Sequence, residues 1–107
     1  MTQLTPQQLT HWLTDSGRTQ PVLLDVREPW EFQICRIPGS LHIPMNTVPV
    51  RKDQLDAEAE TVVICHHGSR SLQVGLFLER AGFSRVFNLN GGVNAWAQQV
   101  EPAMPVY

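Results

Sequence analysis

Thr61-Val62-Val63-Ile64-Cys65-His66-His67-Gly68-Ser69-Arg70 is the stretch on which the reading of this chain turns. Its first five residues are short, apolar or β-branched, the pattern of a strand buried on both faces. Cys65 closes that strand, and His66-His67-Gly68 reads as a loop. From Ser69 to Ala81 the spacing predicts a helix, with Leu72, Leu76 and Glu79 in succession on one face and Gly82 as its stop. A loop between a strand and a helix turns its backbone N–H groups toward one centre, beside the positive end of the helix dipole. A sulfur anion at that centre would be stabilised. Arg70 would add a cation with several donors for an anionic substrate, and Gly68 a backbone freedom that larger residues lack. The expectation is a cradle that holds a Cys65 thiolate next to an oxyanion.

Working outward, the same alternation continues on both sides. Thr5-Pro6-Gln7-Gln8 opens a helix with a capping box; Leu9, Trp12 and Leu13 share its inner face, and Gly17 ends it. Val22-Leu23-Leu24-Asp25-Val26 reads as a buried parallel strand, followed by a short helical turn from Glu28 to Gln33. Ile37-Pro38-Gly39-Ser40 is a turn and Leu41-His42-Ile43 a short strand. Residues 46–60 are polar and read as a loop with a weak helix. Beyond the central stretch, Val86-Phe87-Asn88-Leu89 is a strand, Gly91-Gly92 a sharp turn, and Val93 to Val100 a last helix carrying Trp96. Trp12, Trp30 and Trp96 read as core or cover. Strands alternating with helices predict an α/β sheet, and in such sheets sites form outside the carboxyl ends of strands. That rule selects Cys65.

Composition narrows the function classes. At 107 residues and 42% hydrophobic content, the chain reads as one domain spanning 1–107 rather than as a disordered segment. Eight basic residues, of which Lys52 is the only lysine, face ten acidic ones; no basic stripe is present, which argues against a nucleic-acid backbone as partner. The apolar runs are far shorter than the ~20 residues of a bilayer span, so no membrane partner is expected. Met1–Pro6 has neither a cationic nor an apolar leader pattern, and two cysteines are too few for a disulfide scaffold. Reduced thiols and a cytoplasmic location are expected. His66 and His67 are neighbours, which on a strand would face opposite ways; with no third ligand apparent, no metal is expected.

Four motifs in order resemble the rhodanese family of sulfurtransferases in its single-domain form. They are Leu24-Asp25-Val26-Arg27-Glu28 with Glu31-Phe32; Ile37-Pro38-Gly39-Ser40 with His42-Ile43-Pro44; Cys65-His66-His67-Gly68-Ser69-Arg70; and Gly82-Phe83 through Gly91-Gly92 and Ala95-Trp96. The resemblance implies a three-layer sandwich, a central parallel β-sheet flanked by helices on both faces. It implies that Cys65 carries a persulfide, taking sulfane sulfur from a thiosulfate-like donor and passing it to cyanide or a thiol, with His66, His67, Gly68, Ser69 and Arg70 around the substrate and no cofactor. The same residues would serve a carrier module in a protein-to-protein persulfide relay. Phosphatases and arsenate reductases of this fold are a further alternative; they resemble this loop less, because theirs holds one more residue between cysteine and arginine.

Some positions depart from the family pattern or lie outside the loop. Cys35 and Arg36 stand where the family commonly has glycine and histidine. Cys35 reads either as a tolerated small side chain or as a thiol close enough to form a disulfide with Cys65; Arg36 either adds positive potential or is solvated. Arg27 is expected to pair with Glu31 across one helical turn, and Asp25 to hold loop N–H groups. Any help from His66 or His67 to an anionic donor should weaken as pH rises from about 6 to 8, since unperturbed histidine titrates near 6.5.

Overall fold

The computed structural model describes residues 1–107. Strands β1 (Thr2–Leu4), β2 (Val22–Asp25), β3 (Leu41–His42), β4 (Thr61–Ile64) and β5 (Val86–Leu89) are interleaved with helices α1 (Pro6–Thr14), α2 (Pro29–Ile34), α3 (Val48–Arg51), α4 (Ser69–Arg80) and α5 (Gly92–Gln99). The strands form one sheet in the order β1-β5-β4-β2-β3, and every pair is parallel. The predicted α/β class and central parallel sheet are what the chain adopts.

Alternation along the central strands divides the interior into two layers. Leu23, Val62, Ile64 and Leu89 point to one face, where Leu9 and Trp12 of α1 and Val93, Trp96 and Ala97 of α5 cover them. Leu24, Val63, Cys65 and Val86 point to the other, beneath Val48 of α3 and Val74 and Leu78 of α4. Both faces are therefore packed, which is why β4 reads as a continuous apolar run rather than an alternating one. The central register sets Leu24 beside Val63 and Asp25 beside Ile64, so β2 and β4 end side by side. From β2 the chain moves outward to β3, and from β4 it moves the other way to β5. The ends of β2 and β4 thus flank the point where the winding reverses, the place where an open parallel sheet leaves a crevice.

Local signals mostly match. Thr5 Oγ1 accepts from Gln8 N at 3.1 Å while Gln8 Oε1 accepts from Thr5 N at 2.8 Å, completing the predicted capping box. The polar segment 46–60 contains α3 between two single 3-10 turns. One strand goes unpredicted and one helix face is misassigned. Strand β1 is not visible in the sequence, because two of its three residues are exposed and it holds only the edge beside β5. On α4 the core face is Ser71, Val74, Gly75 and Leu78, whereas Leu72 and Leu76 are 38% and 42% exposed. The small residues Ser71 and Gly75 let the helix lie close to the sheet, which turns the leucines outward. No helix is long and apolar enough to cross a membrane.

Candidate active site

Cys65 is the first residue past β4. Strand alternation sends its side chain to the α4 side, and the loop that follows bends back over it. Gly68 makes the bend at φ +108°, a left-handed conformation that glycine adopts without a Cβ penalty, and serves as the N-cap of α4. In consequence the Gly68 N–H donates to Cys65 Sγ at 3.0 Å. The Ser71 hydroxyl, in the first turn of α4, lies 3.3 Å from the same sulfur. Ser71 is itself hydrogen-bonded to Asn88 Oδ1, and Asn88 Nδ2 donates to Gln3 Oε1 at 2.9 Å and to Gly68 O at 3.3 Å. The buried Asn88 of β5, itself held by the exposed Gln3 of β1, thus braces the loop from beneath. On its other side the carbonyls of Cys65 and His66 accept from Val93 N at 2.9 Å and Asn94 N at 3.1 Å, at the start of α5. The approach is close enough that any Cβ on Gly92 would collide with both carbonyls.

Two ion pairs stand beside this cradle. Arg27, fully buried, donates to Asp25 through Nε and through Nη2 at 2.8 Å, and to Cys35 O through Nη2 at 2.6 Å. Burial alone would push the Arg27 pKa down, but its bonds to Asp25 and Tyr107 outweigh burial and raise it. Arg70 grips Glu31 in a bidentate pair, Nη1 to Oε1 at 2.6 Å and Nη2 to Oε2 at 2.9 Å. The Arg70 bond, with burial opposing it, holds the Glu31 carboxyl down at about 2, and the same bond raises Arg70. Tyr107 links the pairs: Arg27 Nη1 donates to its hydroxyl at 2.9 Å, and that hydroxyl donates to Glu31 Oε2 at 2.8 Å. Burial is the main reason that the phenol is pushed up to about 12. The ring of His66 stacks on Tyr107 and meets His67 at a 33° tilt, each centroid 4.0 Å away. Burial, then the neighbouring His67, lowers the His66 pKa below its ordinary 6.5.

The loop residues named from sequence come together: Gly68 against the sulfur, His66, His67 and Ser69 on the rim, Arg70 in the first turn of α4. Four other expectations are corrected. Arg27 does not pair with the Glu31 carboxylate, because Asp25 lies nearer along the strand and Arg70 claims Glu31. Asp25 accepts from Arg27, main chain and side chain, rather than from the Cys65 loop. Cys35 packs in the layer under α1 and α5 whereas Cys65 packs under α4, so the sheet stands between them and no disulfide can close. His66 and His67 lie in the predicted loop, their rings tilted by 33° to one another. Arg36 is exposed and lies over the Phe32 ring, 4.3 Å from its centroid. Trp30 is neither core nor cover; it is 58% exposed with its edge against Tyr107.

The sequence reading gives Ser71, Asn88 and Tyr107 no role, and places neither Glu31 as the partner of Arg70 nor Gly92 against the loop carbonyls. Asn88 left a signal, since an amide inside an apolar strand must find partners when buried. Tyr107 left none. No group of three or more histidine, cysteine or carboxylate side chains is arranged to hold a metal. An apolar groove of about 270 Å³ between Met45, Val48, Pro49, Val74 and Phe77 takes no residue from the Cys65 loop.

The family model described as a rhodanese-like domain matches residues 5–99. A sulfurtransferase of Allochromatium vinosum is 39% identical over 85 residues, covering 78% of this chain and 79% of its own length. The adenylyltransferase and sulfurtransferase uba4 of Ogataea parapolymorpha is 33% identical over 94 residues. The chain spans only 24% of that relative's length, and 30% of another long relative. Among solved structures, a rhodanese-like domain protein of Staphylococcus aureus superposes with a TM-score of 0.85 at 27% identity, covering 100% of this chain and 99% of the other.

Proposed function

The chain belongs to the rhodanese-like domain family, and on that premise we propose that it transfers sulfane sulfur through a persulfide on Cys65. The observation that carries this reading is the Gly68 N–H aimed at Cys65 Sγ from 3.0 Å, at the reversal point of a parallel sheet. A donor N–H so placed stabilises negative charge on that sulfur without reorganising. In the first half-reaction the Cys65 thiolate attacks the outer sulfur of thiosulfate or a related donor. The S–S bond of the donor breaks, its electron pair leaves with sulfite, and the persulfide anion stays on Cys65. In the second half-reaction cyanide or a thiolate attacks that terminal sulfur and Cys65 departs as thiolate. Charge balances in each step, and neither needs a cofactor. The Gly68 N–H serves the sulfur anion, while Ser71 Oγ accepts from the un-ionised Cys65 thiol and gives its own proton to Asn88 Oδ1. His66, His67, Ser69 and Arg70 form the rim that meets the donor, and Asp25, Arg27 and Glu31 hold that rim in place. A cytoplasmic setting, where thiols stay reduced, suits this chemistry.

The test is intact-mass measurement after incubation with thiosulfate. One added sulfur atom should appear, vanish on addition of cyanide, and be absent in Cys65→Ser. A second reading, a carrier module within a protein relay, is supported by the relative that joins an adenylyltransferase to a sulfurtransferase and by the 1% exposure of Cys65. Faster loading from a protein persulfide than from thiosulfate would favour it.

A further inference from the structure

Cys65 is buried, yet the chemistry proposed for it needs an outside sulfur atom in line with Sγ. Some wall of the site must move. The loop itself is a poor choice, since its carbonyls are tied by main-chain bonds to Val93 and Asn94 and its amide at Gly68 is tied to the sulfur. A Cβ on Gly68 would stand 3.3 Å from Gly91 N, so the backbone of the turn after β5 lies close behind the bend.

Tyr107 is held differently. The segment after α5 turns at Glu101, where Met104 N donates to Glu101 O at 2.9 Å, and buries Met104 in the layer under α1 and α5. Three residues later Tyr107 reaches across the carboxyl end of the sheet. Its ring lies nearly parallel on His66, with an interplanar angle of 12°, and Trp30 meets it edge-on at 5.7 Å. Its other tethers are the two hydroxyl hydrogen bonds, from Arg27 and to Glu31. Thus Tyr107 contacts the catalytic loop, α2 and the end of β2, through side-chain contacts that can break without unfolding any strand or helix. The phenol, pushed up to about 12, is protonated at neutral pH and holds its bond to Glu31 there.

Resting on the sulfur-transfer reading, we propose that Tyr107 is a specificity-determining gate: its ring walls the entrance on the His66 side, and a donor reaches Cys65 at a rate set by the ring's displacement. Small donors need a small displacement and bulky donors a large one. The gate therefore sets which sulfane compounds are accepted. Val106 and Trp30, both exposed, flank the ring and give it room to swing outward.

The experiment compares the parent with Tyr107→Ala and Tyr107→Phe. Iodoacetamide labelling, mapped by peptide mass, reads each thiol separately. Cys65 labelling should rise about tenfold in Tyr107→Ala and about two- to fivefold in Tyr107→Phe, which loses only the hydroxyl bonds. Cys35 should be unchanged, which separates gating from general loosening. The ratio of kcat/KM for benzenethiosulfonate to that for thiosulfate should also rise in Tyr107→Ala. Unchanged Cys65 labelling in both variants, a parallel rise at Cys35, or an unchanged donor ratio overturns the gate. If labelling responds as expected but no sulfane donor ever loads Cys65 in any variant, the sulfur-transfer reading fails and Tyr107 guards access to a thiol of other use.

Discussion

Replacing Gly92 by alanine would set a methyl carbon 2.5 Å from His66 O and 2.6 Å from His66 C, with Cys65 O closer still. These are backbone atoms of the candidate catalytic loop, so they cannot step aside as a flexible side chain would. At φ +59° the new residue also enters the left-handed region, which costs an L-residue roughly 1–2 kcal/mol. Relieving the clash must push the loop off α5 and lengthen the bonds from Val93 N and Asn94 N. Overpacking adds about 1–3 kcal/mol, and two weakened main-chain bonds about 1 kcal/mol each. Gly82→Ala supplies the control: Gly82 has φ +99° but nothing within 4 Å of its Cβ position, so only the conformational cost applies. Gly92→Ala should therefore be less stable than Gly82→Ala by about 3–5 kcal/mol in urea unfolding, a Tm gap of roughly 12 °C or more. Persulfide loading should be lost in Gly92→Ala and retained in Gly82→Ala. Equal midpoints for the two variants, or normal loading in Gly92→Ala, would refute the claim that α5 locks the loop by main-chain contact.

Three further outcomes are expected. Glu31 titrates at about 2 instead of 4.5, so its stabilising effect is complete above pH 4.5 and is lost as pH falls toward 2; Glu31→Gln should flatten urea-unfolding stability across that window by roughly 2–3 kcal/mol, allowing for screening at the part-exposed Arg70. Ser71→Ala removes the hydroxyl that donates to Asn88 Oδ1 and leaves that buried amide oxygen unpaired, so urea-unfolding stability should fall by about 1–3 kcal/mol, an unchanged midpoint contradicting the brace beneath the loop. Cys35→Ser should leave thiol loss under mild oxidation at Cys65 unaltered, because the sheet separates the two sulfurs; a Cys35–Cys65 disulfide found by peptide mapping in the parent would contradict that placement.

Much of the fold can be read along the chain because its determinants are local. The run Thr61–Ile64 is β-branched and apolar whatever surrounds it, and Thr5 with Gln8 makes a capping box from residues three apart. The orientation of α4 could not be read this way. Its leucines at 72 and 76 make a persuasive stripe, but the sheet prefers the small residues Ser71 and Gly75, which allow a closer approach. Strand β1 escapes for the converse reason: an exposed edge strand is held by its neighbour's hydrogen bonds, and side-chain pattern carries no trace of them.

The candidate site divides along the same line. Cys65, Gly68 and Arg70 are placed by the geometry of one strand–loop–helix junction, so six consecutive residues suffice to locate the sulfur, its amide donor and the nearby cation. What each charge does there was decided in three dimensions. Arg27 takes Asp25 and leaves Glu31 to Arg70, a choice between two carboxylates that spacing alone does not make. The hydroxyl joining both pairs arrives from a residue 80 positions away from Arg27. Contacts at that separation depend on where the sheet, α5 and the following turn carry the chain, and no local propensity encodes a destination.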